Sequence, residues 1–375
     1  MPSTTEPGSY CGPFPRALRL GLRRKSIGGV AVIRIQHKEF TMQSLLPRPT
    51  SLRLIVRILF VLSLLACAGS AFPALATDYE PFLGDWDLNL PGGSAGWLSV
   101  AETDGQLVAD ILWGGGSVVP VEGVSLKDGQ LVLVRDPSSN PQTITAKVNG
   151  DTLQLTVSGA GEDGKNVQQE FAGKRTPPVP PTPDLSKVKF GEPVTLFDGK
   201  DLSGWKLINP RQTSGWKVRD GVLVNQVEQE KGKPHKSFGN LRTEKEFEDF
   251  NLTLETRVAE GGNSGVYLRG IYEVQVVDSY GRPLDSHNMG AIYSRICPSE
   301  TAEKPAGEWQ TLNITLVDRH VTVILNGEKI IDNKPLAGCT GGALWSDQLR
   351  PGPIYLQGDH TGIEYRNIVL RPLVK

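Results

Sequence analysis

The nine residues "TPPVPPTPD", Thr176 to Asp184, constrain this 375-residue chain more than any other stretch. Proline fixes φ and carries no backbone N–H, so a run with five prolines favours extended polyproline II and cannot lie inside a sheet. Residues 176–187 therefore read as a linker between two regions that need separate explanations. Both regions read as β, since the chain holds 42 Gly and 27 Pro and shows little of the 3.6-residue periodicity of helices.

The leader differs from both. Its first 76 residues hold ten of the 40 Lys and Arg but two of the 41 Asp and Glu, which leaves the remainder acidic. An acidic chain without a basic stripe is a poor partner for nucleic acid. Met42 is followed by Arg48, Arg53 and Arg57, then by the apolar run "ILFVLSLLACAGSAF" and the small-residue site Ala74-Leu75-Ala76. Those three parts predict a secretory signal peptide over 42–76, with residues 1–41 an over-called start and the product periplasmic or secreted. "LLAC", Leu64 to Cys67, offers a competing lipoprotein site, which would tie the protein to a membrane through a lipidated Cys67. Past the leader only Cys297 and Cys339 remain, and one disulfide or two buried thiols fit equally well.

Residues 77–175 alternate short apolar-patterned segments with turns, including "LVADILW", "QLVLVRD" and "TITAKVNGDTLQLTVSG", where Asn149-Gly150 is a hairpin signal. They predict a small antiparallel meander or lipocalin-like barrel, with "GDW" at Gly84 to Trp86 faintly resembling the opening of such barrels. The region has no histidine or cysteine, which points to binding or spacing.

Residues 188–375 carry longer strands spread over the whole region, as a two-sheet jelly roll requires. Because side chains alternate across a strand, "NLTLETRV" sets Leu252, Leu254, Thr256 and Val258 against Thr253, Glu255 and Arg257. By the same rule Val266 and Leu268 oppose Tyr267 and Arg269, Val274 and Val276 oppose Glu273 and Gln275, and Ile354 and Leu356 oppose Tyr355 and Gln357, with His360 just beyond. The planar amides, guanidiniums and aromatic rings suit sugar hydroxyls and ring faces better than they suit a merely wet surface. The expectation is one polar face shared by four strands, the floor of a carbohydrate site. Asn263-Ser264-Gly265 reads either as a turn or as a source of backbone donors, and Trp309 as a core indole.

Six blocks, "LFDGKDLSGW", "WKVRDGVL", "GGNSGVYLRGIYEVQVVDSYG", "GAIY", "KPAGEWQTLNITLVDRHVTVILNG" and "PIYLQGDHTGIEYRNIVLRPL", closely resemble the 3-keto-disaccharide hydrolase domain family, in the family's order. The resemblance covers the second region alone. It implies a concanavalin-like jelly roll, related in fold to laminarinases and legume lectins, that acts on glycosides oxidised at C3. "EVQVVD" is similar to the acid-bearing strand of laminarinase-like enzymes, but Gln275 occupies the middle position, which does not support paired carboxylates and double displacement.

A C3 ketone acidifies the C2 proton, so the bond can break by elimination across C1 and C2 followed by hydration. That route needs a base, an acid and a group to hold the enolate oxygen. Glu273 and His360 are the candidates for base and acid in either order, and Arg257 and Arg269 for the enolate. Glu255, Asn263, Tyr267, Gln275, Tyr355 and Gln357 are the candidates for substrate binding. No Cys/His spacing calls for zinc; Asp278 and Asp359 are candidates for a divalent cation that their spacing does not demand, so no cofactor is expected. A separate sugar 3-oxidoreductase is expected to supply the substrate, because the chain has no dinucleotide fingerprint. A non-catalytic carbohydrate-binding module of the same fold is the alternative.

Overall fold

The computed structural model describes residues 78–135, 141–160, 166–228 and 236–374. The leader and Cys67 lie outside the described residues, among which no helix is long and apolar enough to cross a membrane.

Apart from one 3-10 turn at Glu80–Phe82, the regular elements are strands. The first region contains β1 (Gly84–Asn89), β2 (Ala95–Thr103), β3 (Gln106–Trp113), β4 (Val118–Pro120), β5 (Gly123–Lys127), β6 (Gln130–Arg135), β7 (Gln142–Asn149), β8 (Thr152–Ala160) and β9 (Asn166–Arg175). They form one sheet in the order β4-β3-β2-β1-β9-β8-β7-β6-β5, a meander whose first strand pairs with its last. Asp104-Gly105 and Asp128-Gly129 join neighbouring strands with φ of 53°, 77°, 50° and 71°. Positive φ at both positions is the condition for the two-residue hairpin turn that matches strand twist. Alternate residues, among them Trp86, Leu98, Ile111, Leu133, Ile144 and Leu155, close a core. Each such side chain contributes about 1.5–3 kcal/mol when buried.

The second region begins with β10 (Val194–Phe197), β11 (Trp205–Leu207), β12 (Trp216–Arg219), β13 (Val222–Asn225), β14 (Leu241–Thr243) and β15 (Phe250–Val258). It continues with β16 (Asn263–Leu268), β17 (Tyr272–Val277), β18 (Gln310–Val317), β19 (His320–Leu325), β20 (Glu328–Pro335), β21 (Tyr355–Leu356) and β22 (Ile363–Pro372). The larger sheet runs β12-β13-β22-β15-β18-β19-β20, with β10 also on β22, and the smaller runs β11-β14-β21-β16-β17. Together they are an antiparallel jelly-roll sandwich whose core includes Leu252, Leu254, Val266, Leu268, Val274, Val276, Ile314 and Leu356.

The two regions share packing. On β2, Leu98 and Val100 belong to the first core, while Ala95 and Trp97 belong to the second. Arg295 lies 4.2 Å over the Trp97 ring, and a Cβ on Gly338 would fall 2.4 Å from that ring, so only glycine lets the indole seat. Buried Asp87 accepts hydrogen bonds from Thr176 Oγ1 (2.9 Å) and Gln348 Nε2 (2.6 Å), and burial pushes its carboxyl up to about 6. The proline run lies along the sandwich, where Arg319 donates to the carbonyls of Pro177 and Pro178 and Asn333 to that of Pro183. Asp78–Lys375 accordingly falls within one compact unit. Cys339 is a free, buried thiol that burial pushes up to about 12, so no bridge joins it to Cys297.

Candidate functional site

The smaller sheet builds the site, because β16 and β17 are buried on both faces, unlike the alternating β15. One face meets the core. Segment 287–294 runs along the free edge of β17, where Tyr293 N donates to Glu273 O and Gln275 N to Ala291 O, and on the other face segment 338–345 meets Tyr267, whose Oη donates to Gly341 O.

Register places the side chains. Tyr267 sits opposite Glu273 on β17 and opposite Tyr355 on β21, and the two tyrosine rings stack with centroids 4.0 Å apart. Gly265 faces Gln275, and a Cβ there would lie 2.2 Å from Glu273 Oε1, so the glycine makes the room that the carboxyl occupies. Asn263, Tyr267, Glu273, Gln275, Tyr355, Gln357 and His360 all line one cavity of about 170 Å³, together with Asn240, Tyr293, Gly342, Asp359 and Gly115 from the first region.

The protonation of Glu273 follows from its neighbours. Tyr267 Oη lies 2.9 Å from Glu273 Oε2 and 2.8 Å from the carbonyl oxygen of Gly341, yet it has a single proton to give. Burial pushes Glu273 up to about 8, against the Tyr267 bond that favours the anion. A carboxyl pushed that far up favours its protonated form near neutral pH, in which its O–H donates a hydrogen bond to Tyr267 Oη and the phenol O–H donates to the Gly341 carbonyl oxygen. With its amide oriented to satisfy both ends, Gln275 donates to Ser264 O (3.0 Å) and Glu273 Oε1 (3.3 Å).

At the rim, His360 Nδ1 lies 2.7 Å from Asp359 Oδ1, and Asn240 donates to Asp359 Oδ2 at 3.3 Å. The Asp359 bond raises the imidazole above its ordinary value against the effect of burial. For Asp359 burial acts upward, but the His360 and Asn240 bonds outweigh it and hold the carboxyl low. Gln357 Oε1 is buried without a hydrogen-bond partner, an acceptor aimed at nothing in the protein.

Three of the predicted residues lie elsewhere. β15 belongs to the larger sheet, where Glu255 pairs with Arg366 (2.5 Å) and Arg257 with Glu364 (2.5 Å), on the face away from the core. Arg366 and Arg257 cover Trp309 at 4.0 and 4.8 Å, so that indole is a half-buried platform rather than a core residue. Arg257 borders a separate, larger depression of about 540 Å³. Arg269 takes φ of 54° in the β16–β17 turn, which breaks the strand alternation, and its buried guanidinium donates to the carbonyls of Gln348 and Arg350 (2.7 Å each). The shared polar face is thus divided between two sheets, and no arginine or lysine lines the cavity among the described residues. Asn263-Ser264-Gly265 is strand, not turn. Among the described residues no group of three His, Cys, Asp or Glu converges as a metal site would require.

Asn240, Tyr293, Gly342 and Gly115 escaped the strand-alternation argument because loops and the other region bring them in. Asp359 stands beside His360 in the sequence, where its spacing marks it only as a candidate cation ligand that nothing demands.

Residues 192–371 match the model of the 3-keto-alpha-glucoside-1,2-lyase-like domain. A 3-keto-disaccharide hydrolase from Bacteroides thetaiotaomicron is 27% identical over 166 residues, 37% of this chain. The chain spans 57% of the length of that curated relative. Two crystal structures of predicted glycosyl hydrolases from Parabacteroides distasonis are 31% and 28% identical. The first alignment covers 52% of this chain and 93% of that one with a TM-score of 0.39, the second 48% and 100% with 0.37.

Proposed function

Since residues 192–371 form a domain of the 3-keto-alpha-glucoside-1,2-lyase-like family, we propose that the protein cleaves the glycosidic bond of 3-keto-glycosides, 3-keto-disaccharides among them, by elimination and hydration. The observation that carries this reading is a buried Glu273, whose carboxyl burial pushes up to about 8, in the same small cavity as an Asp359-backed His360.

In the proposed sequence neutral His360 removes the C2 proton, and the electron pair delocalises onto the C3 oxygen as an enolate. As the enolate collapses to a C1–C2 double bond, the C1–O bond breaks and Glu273 gives its proton to the leaving oxygen. Water then adds at C1 with Glu273 carboxylate taking its proton, while His360 returns a proton to C2. Atoms balance as net hydrolysis, and both groups end in their starting forms. Protonated His360 doubles as the cation beside the enolate, which supplies a charge that the expected arginines do not. Tyr355 and Tyr267 offer a stacked aromatic wall, and Gln357 Oε1 an acceptor for a sugar hydroxyl.

A cavity of about 170 Å³ is smaller than the ~300 Å³ at which sites for drug-sized ligands begin, which suits one sugar ring. A separate oxidoreductase would make the ketone, and the leader predicted over 42–76 would place the reaction outside the cytoplasm. Incubation with a 3-keto-disaccharide and with its unoxidised parent tests the reading. Monosaccharide released from the keto form alone supports it; binding of both without turnover favours the lectin-like alternative and contradicts it.

A further inference from the structure

The first region's β3–β4 loop reaches the site. Gly115 lines the cavity, and the loop around it is bound to both segments that border the cavity. Gly342 N donates to Gly114 O at 3.2 Å, and a Cβ on Gly341 would lie 2.3 Å from Gly116 O, so the two glycine runs are in backbone contact. On the other side Ser117 Oγ donates to Tyr293 Oη at 3.3 Å and lies 3.0 Å from His287 Nε2, while Val118 N donates to Ser294 Oγ at 2.9 Å. His287 is itself held by Asp285 Oδ1 at 2.6 Å and meets the Tyr293 ring edge-on at 4.8 Å.

Two of the segments' residues at this loop, Gly341 and Tyr293, connect directly to the chemistry. Gly341 O accepts the hydrogen bond from Tyr267 Oη, and Tyr293 N donates to Glu273 O. We propose that the loop Gly114–Val118 of the first region is a specificity-determining wall of the cavity: it holds Tyr293 and Gly342 in place and confines the bound substrate at that side. The sandwich alone would leave this side open. The first region is therefore part of the site and not only a spacer beside it.

Glycine fits this role at 115 for a physical reason. Its φ is not in the positive range, and a Cβ built there meets nothing within 4 Å, so a side chain at this cavity-lining position is accommodated without collision or backbone strain. Gly341 is the opposite case, since any Cβ there collides with backbone.

The proposal rests on the sugar-cleaving reading, so its test separates the two. Turnover of a 3-keto-disaccharide by the unmodified full chain tests the reading. Gly115→Trp, and Gly115→Cys assayed before and after thiol alkylation, test the wall. The wall predicts that Gly115→Trp and alkylated Gly115→Cys lose about tenfold or more in kcat/KM, carried mainly by KM, with an unchanged circular dichroism spectrum. Alkylation is performed on folded protein, so it remains decisive if Gly115→Trp fails to fold. Equal kcat/KM before and after alkylation overturns the wall. If the unmodified chain turns over nothing, the reading fails, and saturation-transfer NMR with the same 3-keto-disaccharide judges the wall instead. Binding lost on alkylation supports it, and binding unchanged or absent throughout overturns it.

Discussion

Two strand faces in the second region look alike as sequence and behave as opposites. On β15 the polar set includes Glu255 and Arg257; on β16, β17 and β21 it includes Tyr267, Glu273, Gln275 and Tyr355. The β15 charges meet opposite charges on β22 and remain partly wet, with side chains 24% and 39% exposed. The second set is met by segment 338–345, has segment 287–294 along the free edge of β17, and faces a cavity in which Glu273 is 3% exposed. Cover, not residue type, separates a paired surface from a site: away from water a carboxyl is driven toward its neutral form unless it is matched, and burial pushes Glu273 up to about 8.

The comparison breaks most sharply at Glu273. Glu273→Gln removes the proposed acid while keeping shape and hydrogen bonds, so kcat on a 3-keto-disaccharide should fall by roughly 10²–10⁴ with thermal stability at neutral pH no lower than that of wild type. Steady-state kinetics beside a melting curve checks both halves. Its folded value lies above its unfolded one, so the native state holds the extra proton between those values. Wild-type stability should therefore decline relative to Glu273→Gln as pH rises from about 5 toward 8.

A smaller loss is expected at Gly265. Gly265→Ala places a methyl against Glu273 Oε1, and displacing the carboxyl should lower kcat by about 10- to 100-fold and stability by about 1–3 kcal/mol. Activity equal to wild type would mean that the carboxyl position does not matter.

The pH profile sharpens the contrast further. Activity should fall at high pH as Glu273 loses its proton near 8, and at low pH as His360 gains one above the ordinary imidazole value, giving a narrow bell in kcat/KM. The smallest effect belongs to β15. Glu255→Gln and Arg257→Gln each remove a partly exposed ion pair worth about 0–1 kcal/mol, and turnover should stay within about twofold of wild type.

Alternation along each strand was legible in the sequence, because the two-residue period is a local property of the chain. Sheet membership was not: whether Glu255 and Glu273 share a face depends on pairings with residues far along the chain, such as Glu255 with Arg366. The turn at Arg269 hid for a related reason, since one left-handed residue reverses where a side chain goes. Gly265 is a local mark of the site, a glycine inside a strand where another group, the Glu273 carboxyl, comes close. The contribution of Gly115 lay beyond any reading of the two regions apart, because the proline run that seemed to divide them lies against the sandwich.

Carboxyl ¹³C NMR titration of wild type and Glu273→Gln measures the protonation of Glu273 directly. The account predicts a carboxyl that titrates near 8 and is missing from the variant spectrum. A carboxyl lost in the variant that titrates instead near the ordinary glutamate value would contradict it.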